Sequence, residues 1–158
     1  MDDQSNSLYG KTLQLPQRAV NNAGVIGKDF YAYSLIFTAL GVGTNQTKNI
    51  PIQADSDFVL QKLCFFADDG ALVKFTPNTR LIPNVTVLIT DTGSGRQIMD
   101  SAVPLYSLFG TAENPFILPT PKVFSARSNI SVTVANVEAG AATYTLRLAF
   151  IGTKVFRG

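Results

Sequence analysis

Residues 143–151 alternate strictly, with Tyr144, Leu146, Leu148 and Phe150 on one phase and Thr143, Thr145, Arg147 and Ala149 on the other. Successive side chains of an extended chain point to opposite faces, so this period of two predicts a half-buried strand. Residues 129–137 repeat the pattern, setting Ile130, Val132 and Val134 against Ser131, Thr133 and Ala135. The connection Glu138-Ala139-Gly140-Ala141-Ala142 is short and contains glycine, which predicts that the two strands form a hairpin. A second hairpin is expected where 85–90 and 96–99 flank Asp91-Thr92-Gly93-Ser94-Gly95. Further strands are expected over 31–40, 50–53, 58–66, 72–75 and 116–118, with a broken edge piece over 105–108. Pro51, Pro83, Pro104, Pro115, Pro119 and Pro121 punctuate them, and a proline, which cannot donate to a ladder, marks an edge, a strand start or a loop. No segment sustains a helical repeat of apolar positions with caps. The expected fold is all-β, an antiparallel β-sandwich of jelly-roll or related Greek-key type.

A chain of 158 residues suits one domain and can bury a core without cross-links. That domain is expected to span 29–158. The first 28 residues differ: they carry Gln4, Asn6, Gln14, Gln17, Asn21 and Asn22 with only sparse apolar positions. They predict an extended N-terminal arm that lacks the apolar surface to fold alone. If the arm docks on another protein, Leu13, Leu15 and Val20 are its anchors and Lys11 and Arg18 its charge contacts.

The chain has no His and one Cys, Cys64. Zinc and blue-copper sites draw on those residues, as do Ser-His-Asp and Cys-His catalysis, so all four are excluded, and no cofactor is expected. A net charge of +2, spread along the sequence, leaves no footprint for nucleic acid or an anionic membrane. The polar, acidic start Met1-Asp2-Asp3-Gln4 lacks the character of a secretory signal, so synthesis in a host cytoplasm is expected and the sequons at Asn45, Asn84 and Asn129 are incidental.

Four features could carry chemistry. Asp91-Thr92-Gly93-Ser94 follows the apolar run Val85-Thr86-Val87-Leu88-Ile89 and resembles the catalytic turn of aspartic proteases, in which two aspartates share a proton. A chain with one such turn would act as a homodimer of the retroviral type, and Phe150-Ile151-Gly152 loosely matches that family's later apolar element. Thr153-Lys154-Val155-Phe156, however, continues as a strand where the family has a helix, and Asp, Thr, Gly and Ser are equally what an exposed hairpin loop requires. The pairs Asp55 with Asp57 and Asp68 with Asp69 invite a calcium reading, but they flank an expected strand and sit roughly 30 Å apart. Asp68-Asp69-Gly70 reads as a turn. Gly93-Ser94-Gly95-Arg96 and Gly41-Val42-Gly43-Thr44 lack the lysine and helix of a phosphate loop. Most aromatics, Phe30, Tyr31 and Phe150 among them, fall on the apolar phase of a strand and read as core, whereas Phe109 and Phe116, in the irregular stretch 108–121, are the pair expected to face a partner.

Phe30-Tyr31-Ala32-Tyr33-Ser34-Leu35, the run Ile50-Pro51-Ile52-Gln53-Ala54-Asp55-Ser56-Asp57-Phe58-Val59-Leu60, the loop Gly110-Thr111-Ala112-Glu113-Asn114-Pro115-Phe116 and the closing Leu148-Ala149-Phe150-Ile151-Gly152-Thr153-Lys154-Val155 together resemble small structural proteins of tailed-bacteriophage virions. The resemblance implies a non-enzymatic capsid decoration or cement protein on the capsid surface. Its partner would be the major capsid protein, it would form a dimer or trimer, and it would bind neither nucleic acid nor membrane. Related proteins occupy tail, baseplate or head-fibre positions, some with receptor binding. A homodimeric aspartic protease is the enzymatic alternative.

Overall fold

The alternating C-terminal segment becomes a central strand, longer than expected and not paired with its sequence neighbour. The computed structural model describes residues 24–68 and 82–157; the arm residues up to 23 and the strand expected over 72–75 lie outside the described residues. In chain order the elements are β1 (Val25–Leu40), β2 (Asn45–Pro51), β3 (Ser56–Asp68), β4 (Val85–Asp91), β5 (Arg96–Gln97), β6 (Val103–Pro104), the single-turn helix α1 (Leu105–Leu108), β7 (Phe116–Phe124), β8 (Asn129–Asn136) and β9 (Tyr144–Arg157). They form two antiparallel sheets, one in the order β1-β9-β3-β7 and one in the order β2-β8-β4-β5, with β6 also on β4.

The inward phases of both sheets meet in one apolar cluster. Val87 and Ile89 of β4 and Ile130, Val132 and Val134 of β8 join Phe58 and Leu60 of β3 and Leu146, Leu148 and Phe150 of β9. Alternation therefore located the core residues of β8 and β9. A bulge between Leu60 and Lys62 puts one extra residue into β3 against β9, which returns Leu63 and Phe65 to the inner face, and the register with β7 breaks at the same place, from Lys122 to Ile117. Beside it Gly152 of β9 runs so close that a Cβ there would lie 2.0 Å from the Val59 carbonyl oxygen.

Four expectations are corrected. First, β8 and β9 are not a hairpin: β8 pairs with β2 and β4, and β9 with β1 and β3. The residues between them cross from one sheet to the other, and buried Asn136 anchors the crossing. Its Nδ2 donates to the Leu40 and Ala142 carbonyls at 3.0 and 2.9 Å, and its Oδ1 accepts the Glu138 amide at 3.0 Å. Period two assigns faces, not neighbours. Second, β1 begins at Val25, so residues 25–28, assigned to the arm, belong to the sheet, where Val25 and Lys28 pair with Arg157 and Val155. Third, 105–108 is a helical turn. Pro104 ends β6 and fixes an entry without an amide donor, buried Leu105 pins the turn, and the Phe109 amide closes it on the Leu105 carbonyl at 2.8 Å.

The fourth concerns Phe109, expected at a partner surface but 1% exposed and packed edge-on against Phe150 with ring centroids 5.8 Å apart. The segment around it is irregular in sequence because a turn, not a strand, delivers the ring to the core. Phe109→Ala is expected to cost about 3–5 kcal/mol, the usual range for emptying a buried phenylalanine site. Urea unfolding monitored by circular dichroism measures it, and a cost under about 1 kcal/mol would contradict this placement.

Candidate functional site

Asp91 ends β4, and the turn after it is built on its carboxylate. Oδ1 accepts the Gly93 amide at 3.0 Å and the Ser94 amide at 3.3 Å, while Oδ2 accepts the Ser94 hydroxyl at 2.6 Å. Lys122, from β7 of the other sheet, reaches Oδ2 at 3.3 Å. Thr92 ties the turn to the start of β8, its amide and hydroxyl both donating to the Asn129 carbonyl. Gly93 is required by space, since a Cβ there would meet the Ser128 Cβ at 2.3 Å. The hairpin of β4 and β5 is as expected, but its aspartate is 3% exposed and not part of an open loop.

Burial alone would push the Asp91 carboxyl up. The Ser94 hydroxyl and amide, Lys122 and the Gly93 amide outweigh it and hold the group below the ordinary carboxylate range. An aspartic protease pair needs the opposite balance, two carboxylates crowded so that one keeps its proton. Here each oxygen is committed to donors that favour the anion, and β9 continues as strand through Arg157 past Gly152. The carboxylate works as a clasp between the two sheets.

Because the folded-state pKa lies below the unfolded one, the stability from this clasp is complete above the unfolded carboxyl range and is lost as pH falls below about 4 through the folded value. Asp91→Asn removes the charge opposite Lys122 and is expected to cost about 1–3 kcal/mol at neutral pH. The gap between wild type and variant should narrow in acid. Urea unfolding at neutral and acid pH tests both, and a gap independent of pH would show that the carboxylate charge contributes nothing.

The other expected groups are structural. Asp57, 8% exposed, accepts the Ala126 amide at 2.9 Å and pairs with Arg157 at 2.6 Å. Asp68, at the far end of β3, pairs with Arg147, and Asp69 lies outside the described residues. Among the described residues, no cluster of three or more His, Cys, Asp or Glu is placed to hold a metal ion. Burial pushes the Cys64 thiol up against the weaker pull of Lys62, which leaves it a poor nucleophile. Gly41 and Gly43 form the turn between β1 and β2, with the Thr44 hydroxyl on the Gly41 carbonyl at 2.6 Å. Lys11, Leu13, Leu15, Arg18 and Val20 lie outside the described residues. Phe116 is half-buried at the start of β7, opposite Leu63.

Two features escaped the sequence reading. Lys154 is 5% exposed on the inward phase of β9, held by the Gln53 side-chain oxygen and lying 3.8 Å over the Tyr31 ring. A cation on the same phase as Leu148 and Phe150 was the available signal. The second is the outer face of the four-stranded sheet. Phe30, Thr153, Val59 and Val123 form one cross-strand row and Ala32, Ile151, Lys62 and Ile117 the next. Phe30 is 76%, Ile117 64% and Val123 49% exposed, and Ile26 and Ile36 extend the apolar surface along β1. Phe30, read as core, is therefore a surface residue. No family model matches this chain, and no curated protein or solved structure matches it.

Proposed function

We propose that this chain is a virion structural protein of the capsid-decoration type, bound to the outside of a phage head as a homo-oligomer, with its N-terminal arm bridging major capsid subunits. The arrangement β1-β9-β3-β7 against β2-β8-β4-β5 supports reading the body as a jelly-roll sandwich, an architecture used by viral capsid and lectin domains. Fold alone carries no function. The observation that carries the reading is the exposed apolar face centred on Phe30, Val123 and Ile117, because a soluble monomer gains nothing from such a surface, whereas an assembling protein buries it.

An assembled head stores pressure from its packaged nucleic acid, and a clamp across a seam adds buried contact where the shell would open. Symmetric shells recruit symmetric oligomers. Lys11, Leu13, Leu15, Arg18 and Val20 supply the arm's contacts in this reading, with Phe116 a secondary contact from the body. The test is co-sedimentation of the purified chain with heads stripped of it. Saturable binding to heads and none to isolated tails is the expected result; binding to tails alone would replace this reading with a tail, baseplate or fibre role.

A further inference from the structure

We propose that the outer face of the four-stranded sheet is the surface through which two copies of this chain pack, sheet against sheet, about a two-fold axis running along the strands. This inference deepens the homo-oligomer part of the proposed function and does not depend on capsid binding.

Size comes first. Four strands about 4.8 Å apart and the stretch from Lys28 to Ile36 at about 3.3 Å per residue outline roughly 500 Å² per copy. Two copies together bury about 1,000 Å², the threshold for a specific interface, and aligned sheets pack this way with their strands about 30° apart. The charge pattern favours a second copy over a partner of opposite charge. At one end of the face Arg157 is paired with Asp57 and at the other Arg147 with Asp68, so these charges are already neutralised within the chain.

The axis follows from Lys62, which lies near the middle of the face, in the row of Ala32, Ile151 and Ile117. A two-fold axis running across the strands would set β3 against its own copy and bring the two Lys62 ammonium groups together. An axis along the strands instead lays β3 over β9 and β1 over β7, at unchanged height. Lys62 then lies over Ile151, with its stem on apolar surface and its charge free to reach the rim past the edge strand. Phe30 meets Val123, and the small Ala32 meets the larger Ile117. Each residue meets a different residue of the other copy, and that residue meets it in return, as an isologous dimer requires.

Sedimentation equilibrium of the full chain tests the proposal. Twice the 17.0 kDa chain mass is expected for the wild type. Phe30→Lys and Ile117→Lys, each at a strongly exposed position, should weaken association by at least about thirtyfold while the circular dichroism spectrum of the folded chain stays unchanged. Phe30→Lys and Val123→Glu should each be monomeric alone and form a one-to-one dimer when mixed. A monomeric or trimeric wild type overturns the proposal, a monomer assigning the face to residues 1–23 or to another protein. Dimers retained by both lysine variants overturn it too, and failure of the mixed pair to associate overturns the axis. Because head binding is scored in its own experiment, a monomer that still decorates heads would sink this interface and leave only the capsid-binding part of the proposed function standing.

Discussion

Gly152→Ala is expected to destabilise the chain severely. Gly152 sits in the middle of β9, between β1 and β3, opposite the β3 bulge. An added Cβ would lie 2.0 Å from the Val59 carbonyl oxygen, 2.9 Å from its carbon and 3.1 Å from the Leu60 Cα. All three atoms are backbone of a paired strand, so relief requires breaking the ladder instead of turning a side chain. A cost of about 3–5 kcal/mol is expected, within a total stability that for such domains is about 5–15 kcal/mol. Gly140→Ala is the control, since a Cβ there meets nothing within 4 Å. Urea titrations of the two variants should differ sharply; equal midpoints would show that β3 and β9 do not approach as described.

What was legible in the sequence and what was not divide along a physical line. Alternation is a local property, and it placed Ile130, Val132 and Val134, then Leu146, Leu148 and Phe150 on inward faces, as the structure has them. The β4 to β5 hairpin was legible because its turn residues sit between its own strands. Pairing across distance was not. The connection between β8 and β9 looks like a hairpin loop, but Asn136 ties it to Leu40, nearly a hundred residues earlier, and carries the chain to the other sheet. Asp91 had the composition of an exposed turn; its burial depends on Lys122, delivered by a strand of the opposite sheet. Phe109 sits in a segment without alternation because a helical turn positions it. Phe30 misled in the opposite direction. β1 has bulky residues on both phases, Phe30 and Ile36 against Tyr31 and Leu35, and where both faces are apolar, periodicity cannot say which one the core takes.

The second large effect concerns the arm. Because β1 begins at Val25, removing residues 1–22 spares every described strand, and the melting temperature of the body should change little. If the arm is the clamp, burying Leu13, Leu15 and Val20 at about 1.5–3 kcal/mol each supplies several kcal/mol per subunit before ordering costs. Affinity for heads should then fall by at least about a hundredfold in the truncated chain. The double change Leu13→Ala with Leu15→Ala should reproduce part of that loss, measured as the concentration for half-saturation in co-sedimentation. Equal binding by full-length and truncated chains would move the capsid contact to the body, toward Phe116 at the start of β7.

The central claim is a location, and a cryo-electron-microscopy map of the parent particle reads it directly. The account predicts density for the two-sheet body on the outside of the head, in symmetric clusters, with an extended segment running from the start of β1 across a boundary between major capsid subunits. Copies confined to the tail, or a head surface without this density, would contradict it.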